Sequence, residues 1–194
     1  MAAAPPNDVR PYIVRTYDRW IILVLVLVAG WLLFRPVFAY TVFYRGLSFE
    51  RMLQLGAAEH YYRKSIGVDP HIPESWLALG QLYMMRMHSS PDAYAGALDT
   101  LSRGADANPR SGVLPFFLCR TYYEAGHDYA KALAACKRSV ANDPSLHFAW
   151  DYAGWASLQL GDRSNAVNYW RESLKHAHNP SVEAALKKYS PNAR

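Results

Sequence analysis

Two patterns of apolar positions divide this chain. Residues 20–34 read WIILVLVLVAGWLLF with no charged or polar side chain; Arg35 and Pro36 follow, then VFAYTVFY to Tyr44. Beyond that point no apolar run is long, and small, large and turn-forming residues recur in register to residue 180. The first pattern predicts a single membrane-crossing helix over residues 20–44. Its uninterrupted part, about 15 residues or roughly 22 Å of helix, is short for a hydrocarbon core of about 30 Å; continuing to Tyr40 gives about 21 residues, which suffices. Arg35 then falls near one interface, where its aliphatic stem can lie along apolar surface while the charge reaches water. Trp20 at one end and Tyr40 and Tyr44 at the other suit interfacial aromatic belts. Pro36 removes one helical hydrogen bond, so a kink is expected there. Two other readings compete: a cleaved signal peptide, with Val37-Phe38-Ala39 as its cleavage site, and a buried core helix. Three arginines precede the segment, and Arg35, Arg45 and Arg51 follow it, so charge scarcely sets orientation. The lack of Lys or Arg between residues 37 and 44 points to an inside N-terminus and an outside C-terminal region. In a bacterium this means an inner-membrane protein with a periplasmic domain.

The second pattern is a repeat. Four stretches align: AEHYYRKSIGVDP (58–70), ALDTLSRGADANP (97–109), ALAACKRSVANDP (132–144) and AVNYWRESLKHAHNP (166–180). Each opens on Ala, and four residues later stands Tyr62, Leu101, Cys136 or Trp170. Seven residues after the Ala stands a small residue: Ser65, Gly104, Ser139 or Ser173. Each closes on Asp-Pro or Asn-Pro. A second helical stretch precedes each Ala and carries its own small residue: Gly46, Gly80, Cys119 or Gly154. Trp76 and Trp150 stand four residues before it, and Tyr83 and Tyr122 three after. Small residues let paired helices approach and large ones fill the flanking volume, while proline after Asp or Asn stops each second helix. One such hairpin cannot bury its apolar face, so at least three must stack.

The series Trp76, Leu79, Gly80, Tyr83, Ala97, Leu101, Gly104, Pro109 resembles the tetratricopeptide repeat at each characteristic place, with about five extra residues in the turn at 87–91. The resemblance extends over residues 39–180 and departs at Pro115 for Trp and Cys119 for Gly in the third copy, and at Ser157 for Tyr in the fourth. It implies an all-α solenoid of about four hairpins, at 39–72, 73–111, 112–146 and 147–180. An N-terminal arm (1–19) precedes the membrane helix. Residues 181–194 form a capping helix, with Ser181 as N-cap, and a tail. Because the first copy opens near Ala39, the membrane helix should run almost directly into the solenoid (45–180), with Pro36 as the joint.

The resemblance further implies that the first helices of successive hairpins line a concave groove for a peptide or helix of another protein. By position this groove takes Glu74, Leu77, Gln81 and Met84, then Val113, Phe116, Arg120 and Tyr123, then Phe148, Asp151, Trp155 and Leu158. Such an apolar, aromatic surface calls for a partner; for any one of these residues the competing reading is packing between repeats. Members that clamp a terminal carboxylate use Lys and Asn where this chain has Leu77, Gln81, Phe116 and Arg120, so a receptor for chaperone tails is not expected.

Charge and residue chemistry narrow the rest. The chain has 21 Lys and Arg against 16 Asp and Glu, a net +5 spread evenly, unlike the concentrated face of a nucleic-acid binder. No CxxC, CxxCH, glycine-rich phosphate loop or HExxH occurs, which argues against an enzyme and against a cofactor, metal or small-molecule substrate. His176 and His178 are two apart on a helix and do not converge. Cys119 and Cys136 fall on facing helices of one hairpin. They form either a disulfide or two small buried hydrophobes, and a helix separation of about 8–10 Å favours the second. The functional expectation is an interaction scaffold, an accessory subunit of a membrane complex surrounded by lipid at residues 20–44. The alternative is a membrane-anchored assembly factor presenting client peptides, as in cytochrome maturation, secretion or polysaccharide export.

Overall fold

The computed structural model describes residues 10–87 and 90–190; the expected arm lies outside it up to residue 9, and so does the tail at 191–194. The described residues hold nine α-helices and no strand: α1 (Arg10–Arg51), α2 (Leu55–Val68), α3 (Pro73–Arg86), α4 (Pro91–Ala107), α5 (Val113–Thr121), α6 (Tyr129–Asn142), α7 (His147–Gln159), α8 (Arg163–Leu174) and α9 (Pro180–Tyr189). A π-helical turn at Tyr122–Gly126 extends α5. Helices pack in chain order as hairpins α1/α2, α3/α4, α5/α6 and α7/α8, closed by α9, and α3, α5 and α7 also touch one another side by side. This is the α-solenoid that the repeat implies.

Each turn between hairpins follows from its Asp-Pro or Asn-Pro pair. Proline excludes the helical conformation from the residue before it. Asp69, Asn108, Asp143 and Asn179 accordingly leave the helical region, with φ between −126° and −142° and ψ between 67° and 106°. The proline carbonyls are then captured. Trp76 Nε1 donates to Pro70 O and Trp150 Nε1 to Pro144 O, both at 2.8 Å. In the third copy, where Pro115 replaces the Trp, Asn142 Nδ2 donates to Pro109 O at 2.8 Å instead. The recurring Ser ties the two helices of a hairpin together: Ser65 to Ala39 O (2.9 Å), Ser139 to Gly112 O (2.7 Å) and Ser173 to His147 O (3.3 Å). The second copy has Gly104 at that place because the Trp76 side chain lies there; an added Cβ would meet its Cβ at 2.7 Å and its ring at 2.8 Å.

The closest approach within each hairpin pairs the small residue of the first helix with the large one of the second. A Cβ on Gly46 would meet Tyr62 at 2.6 Å, one on Gly80 would meet Leu101 at 2.6 Å, and one on Gly154 would meet Trp170 at 2.2 Å. Cys119 and Cys136 occupy the same pair of places in the third hairpin. They are joined by a disulfide with Cα atoms 5.2 Å apart. The sequence reading favoured unbonded cysteines from the usual separation of helix axes; at the crossing point, where glycine serves the other hairpins, the backbones are far closer than that average. A further correction concerns α9, whose N-cap is Asn179, accepting from Ser181 N at 3.1 Å, with Pro180 in the first turn.

α1 is one helix of 42 residues, continuous through Pro36. Residues 10–19, expected in a separate arm, are its first turns. Ile21 to Phe34 are exposed apart from half-buried Gly30, so no described part of the chain covers this segment, and the core-helix reading is ruled out. Cover begins at Arg35: Ala39 is fully buried, Val42 and Phe43 nearly so, and Phe43 packs with Tyr62 and Leu79 in the first core cluster.

Two outcomes are expected in denaturant titrations. Gly154→Val overpacks the contact with buried Trp170 and lowers stability by about 1–3 kcal/mol, whereas Gly67→Ala, which meets nothing within 4 Å, is neutral or stabilising by up to about 1 kcal/mol. Replacing both cysteines by Ala opens a covalent loop with a sequence separation of 17 and lowers stability by roughly 3 kcal/mol. Equal midpoints for the parent and double variant would show that the bond contributes nothing.

Candidate partner-binding groove

α3 and α5 pack side by side, and the last turn of α1 reaches the same surface through Glu50. Where they meet lies a groove of about 400 Å³ lined by Glu50, Gln81, Met84, Met85, Met87, Phe117, Arg120 and Glu124. Gln81, Met84 and Arg120 were expected from register. Glu50, Met85, Met87, Phe117 and Glu124 were not; Glu50 belongs to the last turn of α1, and Glu124 to the π turn. Phe117 directly follows a residue expected in the groove, and the wider π turn re-aims the side chains after Thr121, so simple helical counting fails there.

The remaining expected residues spread between surface and interior. Phe148 is exposed and stacks on Phe116, with ring centroids 6.2 Å apart, while Phe116 itself is buried against Phe117 and Tyr152. Tyr123 is half-buried, edge-on to Tyr129 and Tyr152 at 5.4 Å each. These rings extend the groove toward α7 as an aromatic wall. Leu77 is half-buried against the central core cluster. Trp155 is half-buried and turned toward the C-terminal core, with its ring 4.7 Å from that of Trp170. Asp151 is not a groove residue. It is 4% exposed and accepts from Ser173 Oγ at 2.5 Å and Asn179 Nδ2 at 2.8 Å, joining α7 to α8 and to the final turn. Burial without these donors would leave its carboxylate uncompensated, so its role is to hold the cap in place.

Charge within the groove is organised around Glu124. Arg120 Nε donates to both of its carboxylate oxygens at 3.0 Å, and the Tyr152 hydroxyl donates to Oε1. Burial and the hydrogen bond to Glu124 push the Tyr152 phenol above the ordinary tyrosine range, with Arg120 opposing. The groove therefore offers soft apolar surface from three methionines and Phe117, edged by Glu50 at one side and the Arg120–Glu124 pair at the other. No group of three or more His, Cys, Asp or Glu side chains is placed to hold a metal ion among the described residues.

Of the residues expected at a membrane interface, Trp20, Tyr40 and Tyr44 are exposed on α1. Arg35 folds onto the solenoid instead of extending freely: its Nε donates to Val68 O at 2.7 Å and its Nη2 pairs with Asp69 at 3.3 Å.

No family model matches this chain, and no curated protein matches it. Among solved structures it is similar to MamA at 24% identity, with a TM-score of 0.59 over 78% of this chain and 81% of that one. It is also similar to PilF of Pseudomonas aeruginosa, at 18% identity and a TM-score of 0.66, over 80% and 68% of the two chains. The first tetratricopeptide domain of RPAP3, solved bound to an HSP90 peptide, is 25% identical with a TM-score of 0.52 over 59% of this chain and 92% of its own. The class defined by these likenesses and by the repeat geometry is the tetratricopeptide-type α-solenoid.

The tyrosine shift gives a test of the groove's electrostatics. A phenol whose pKa is raised on folding keeps its stabilising effect below the unfolded value of about 10 and loses it as pH rises toward the folded value. Tyr62 is raised in the same way by burial and by its bond to Glu50, so ultraviolet titration should show several late-ionising tyrosines, one fewer in Tyr152→Phe and one moved to lower pH in Glu124→Gln. An unchanged titration in Glu124→Gln would mean that the hydrogen bond does not form.

Proposed function

We propose that this chain is a non-enzymatic protein-protein interaction scaffold, held in a membrane by α1 and serving as an accessory subunit of a larger membrane complex. The observation that carries the reading is the continuity of α1: one helix is bare and apolar over residues 20–34 and, three residues after Pro36 at Ala39, forms the buried wall of the first hairpin. A bare apolar helix requires lipid or protein around it, and the groove requires a partner. Both demands fall on one continuous body. A cut after Ala39 would strip Arg35 from Asp69 and open the first hairpin, which favours a retained anchor over a cleaved signal. The Cys119–Cys136 bond suits an oxidising compartment and so a solenoid on the periplasmic side of a bacterial inner membrane.

The groove's partner is an apolar peptide or helix. Met84, Met85 and Met87 present flexible, polarizable surface that adapts to side chains of differing shape. That adaptability favours, as a second reading, an assembly factor that takes several client peptides in turn. Stoichiometry separates the two, since a subunit co-purifies one to one and an assembly factor in small, variable amounts.

The test is purification of the tagged full chain from its native membranes in mild detergent, followed by native electrophoresis and mass spectrometry. A defined larger species is expected. The pair Gln81→Arg and Met85→Glu, both exposed on α3, should cut partner recovery at least tenfold while leaving the thermal midpoint within a few degrees. Migration of the parent as a lone chain overturns the scaffold reading, and undiminished recovery in the variant removes the groove from it.

A further inference from the structure

We propose that the first turn between hairpins, residues 68–73, is seated in the headgroup layer of the bilayer, making the membrane surface a binding partner of the solenoid itself. The inference rests on the reading that α1 spans a membrane, and it concerns where the solenoid begins relative to that span. A hydrocarbon core of about 30 Å needs roughly 20 helical residues, but the run at residues 20–34 supplies only about 22 Å, so the span must continue to about Tyr40. The solenoid's cover of α1 starts before that. Arg35 and Pro36 are half-buried and Ala39 is fully buried, while Val37 and Phe38 on the opposite face stay 62% and 48% exposed. Over about five residues, or about 7–8 Å, the same length of helix is both needed to complete the span and clasped by the solenoid.

The part of the solenoid at that depth is fixed by direct contacts. Arg35 donates to the last carbonyl of α2, that of Val68, and pairs with Asp69, and Ser65 donates to Ala39 O. The turn is chemically fitted to this place. Its acid is neutralised by Arg35 and further accepts from His71 N at 3.0 Å and from the His71 ring at 3.2 Å. The Arg35 guanidinium also satisfies a carbonyl that the end of α2 leaves without a helical donor. Pro70, Ile72 and Pro73 add no charge, and the exposed ionisable side chain of the turn is His71. A neutral, internally paired turn tolerates the interfacial layer, where a bare Arg or Asp would hold it in water.

Site-directed spin labelling of the full chain in vesicles of phosphatidylethanolamine and phosphatidylglycerol tests the placement. The native cysteines are bonded to each other and take no label, so Val28→Cys, His71→Cys and Asn168→Cys report the centre of α1, the turn, and the exposed surface of α8. The measured quantity is nitroxide accessibility to oxygen relative to a water-soluble nickel complex. The expected ratio at His71 is several-fold above that at Asn168 and below that at Val28. A ratio at His71 equal to that at Asn168, with Val28 lipid-like, overturns the seating and leaves the span intact. A water-like ratio at Val28 overturns the span and the seating together.

Discussion

Every hairpin depends on one backbone approach, at which a small residue of the first helix receives a large one of the second. Three hairpins achieve it with glycine, against Tyr62, Leu101 and Trp170 in turn. The third replaces this fit of volumes with a covalent bond between Cys119 and Cys136 at the same two places. The substitution is physically coherent. Two cysteine side chains fill less space than a glycine and a tryptophan do, and the bond holds the helices together where packing alone would leave a void. In the same hairpin Pro115 stands where Trp76 and Trp150 lock the preceding turns of their own copies, and Asn142 holds the Pro109 carbonyl instead.

The spacing of the repeats made this much of the fold legible: helix pairs, turns and stack order all follow from small, large and proline positions that recur. What the spacing does not carry is any contact made once. Arg35 and Asp69 lie far apart in sequence, and Arg35 takes no part in the repeat pattern, so nothing in the spacing points to the clasp between them. Asp151 falls at a groove position by register, yet Ser173 and Asn179 are brought to it by folding and draw it inside. The disulfide is hidden for a different reason: the average separation of helix axes does not hold at the one level where the helices are closest.

The groove was only partly readable. Gln81, Met84 and Arg120 follow from counting turns on regular helices. Glu124 does not, because the π turn after Thr121 shifts the phase, and Glu50 does not, because it belongs to the helix that also carries the apolar segment. The acidic edge of the groove thus comes from the two places where regular counting fails. A sequence alone shows neither.

The unbroken passage of α1 from its bare segment into the first hairpin fixes azimuth as well as distance. Successive helical residues turn by about 100°. Inserting or deleting a single residue in the exposed stretch would therefore rotate the whole stack by roughly that angle about the helix axis; on the proposed reading that α1 spans a membrane, the groove would swing to face a different neighbour in its plane. The length of α1 thus acts as a compass setting for whatever the groove addresses.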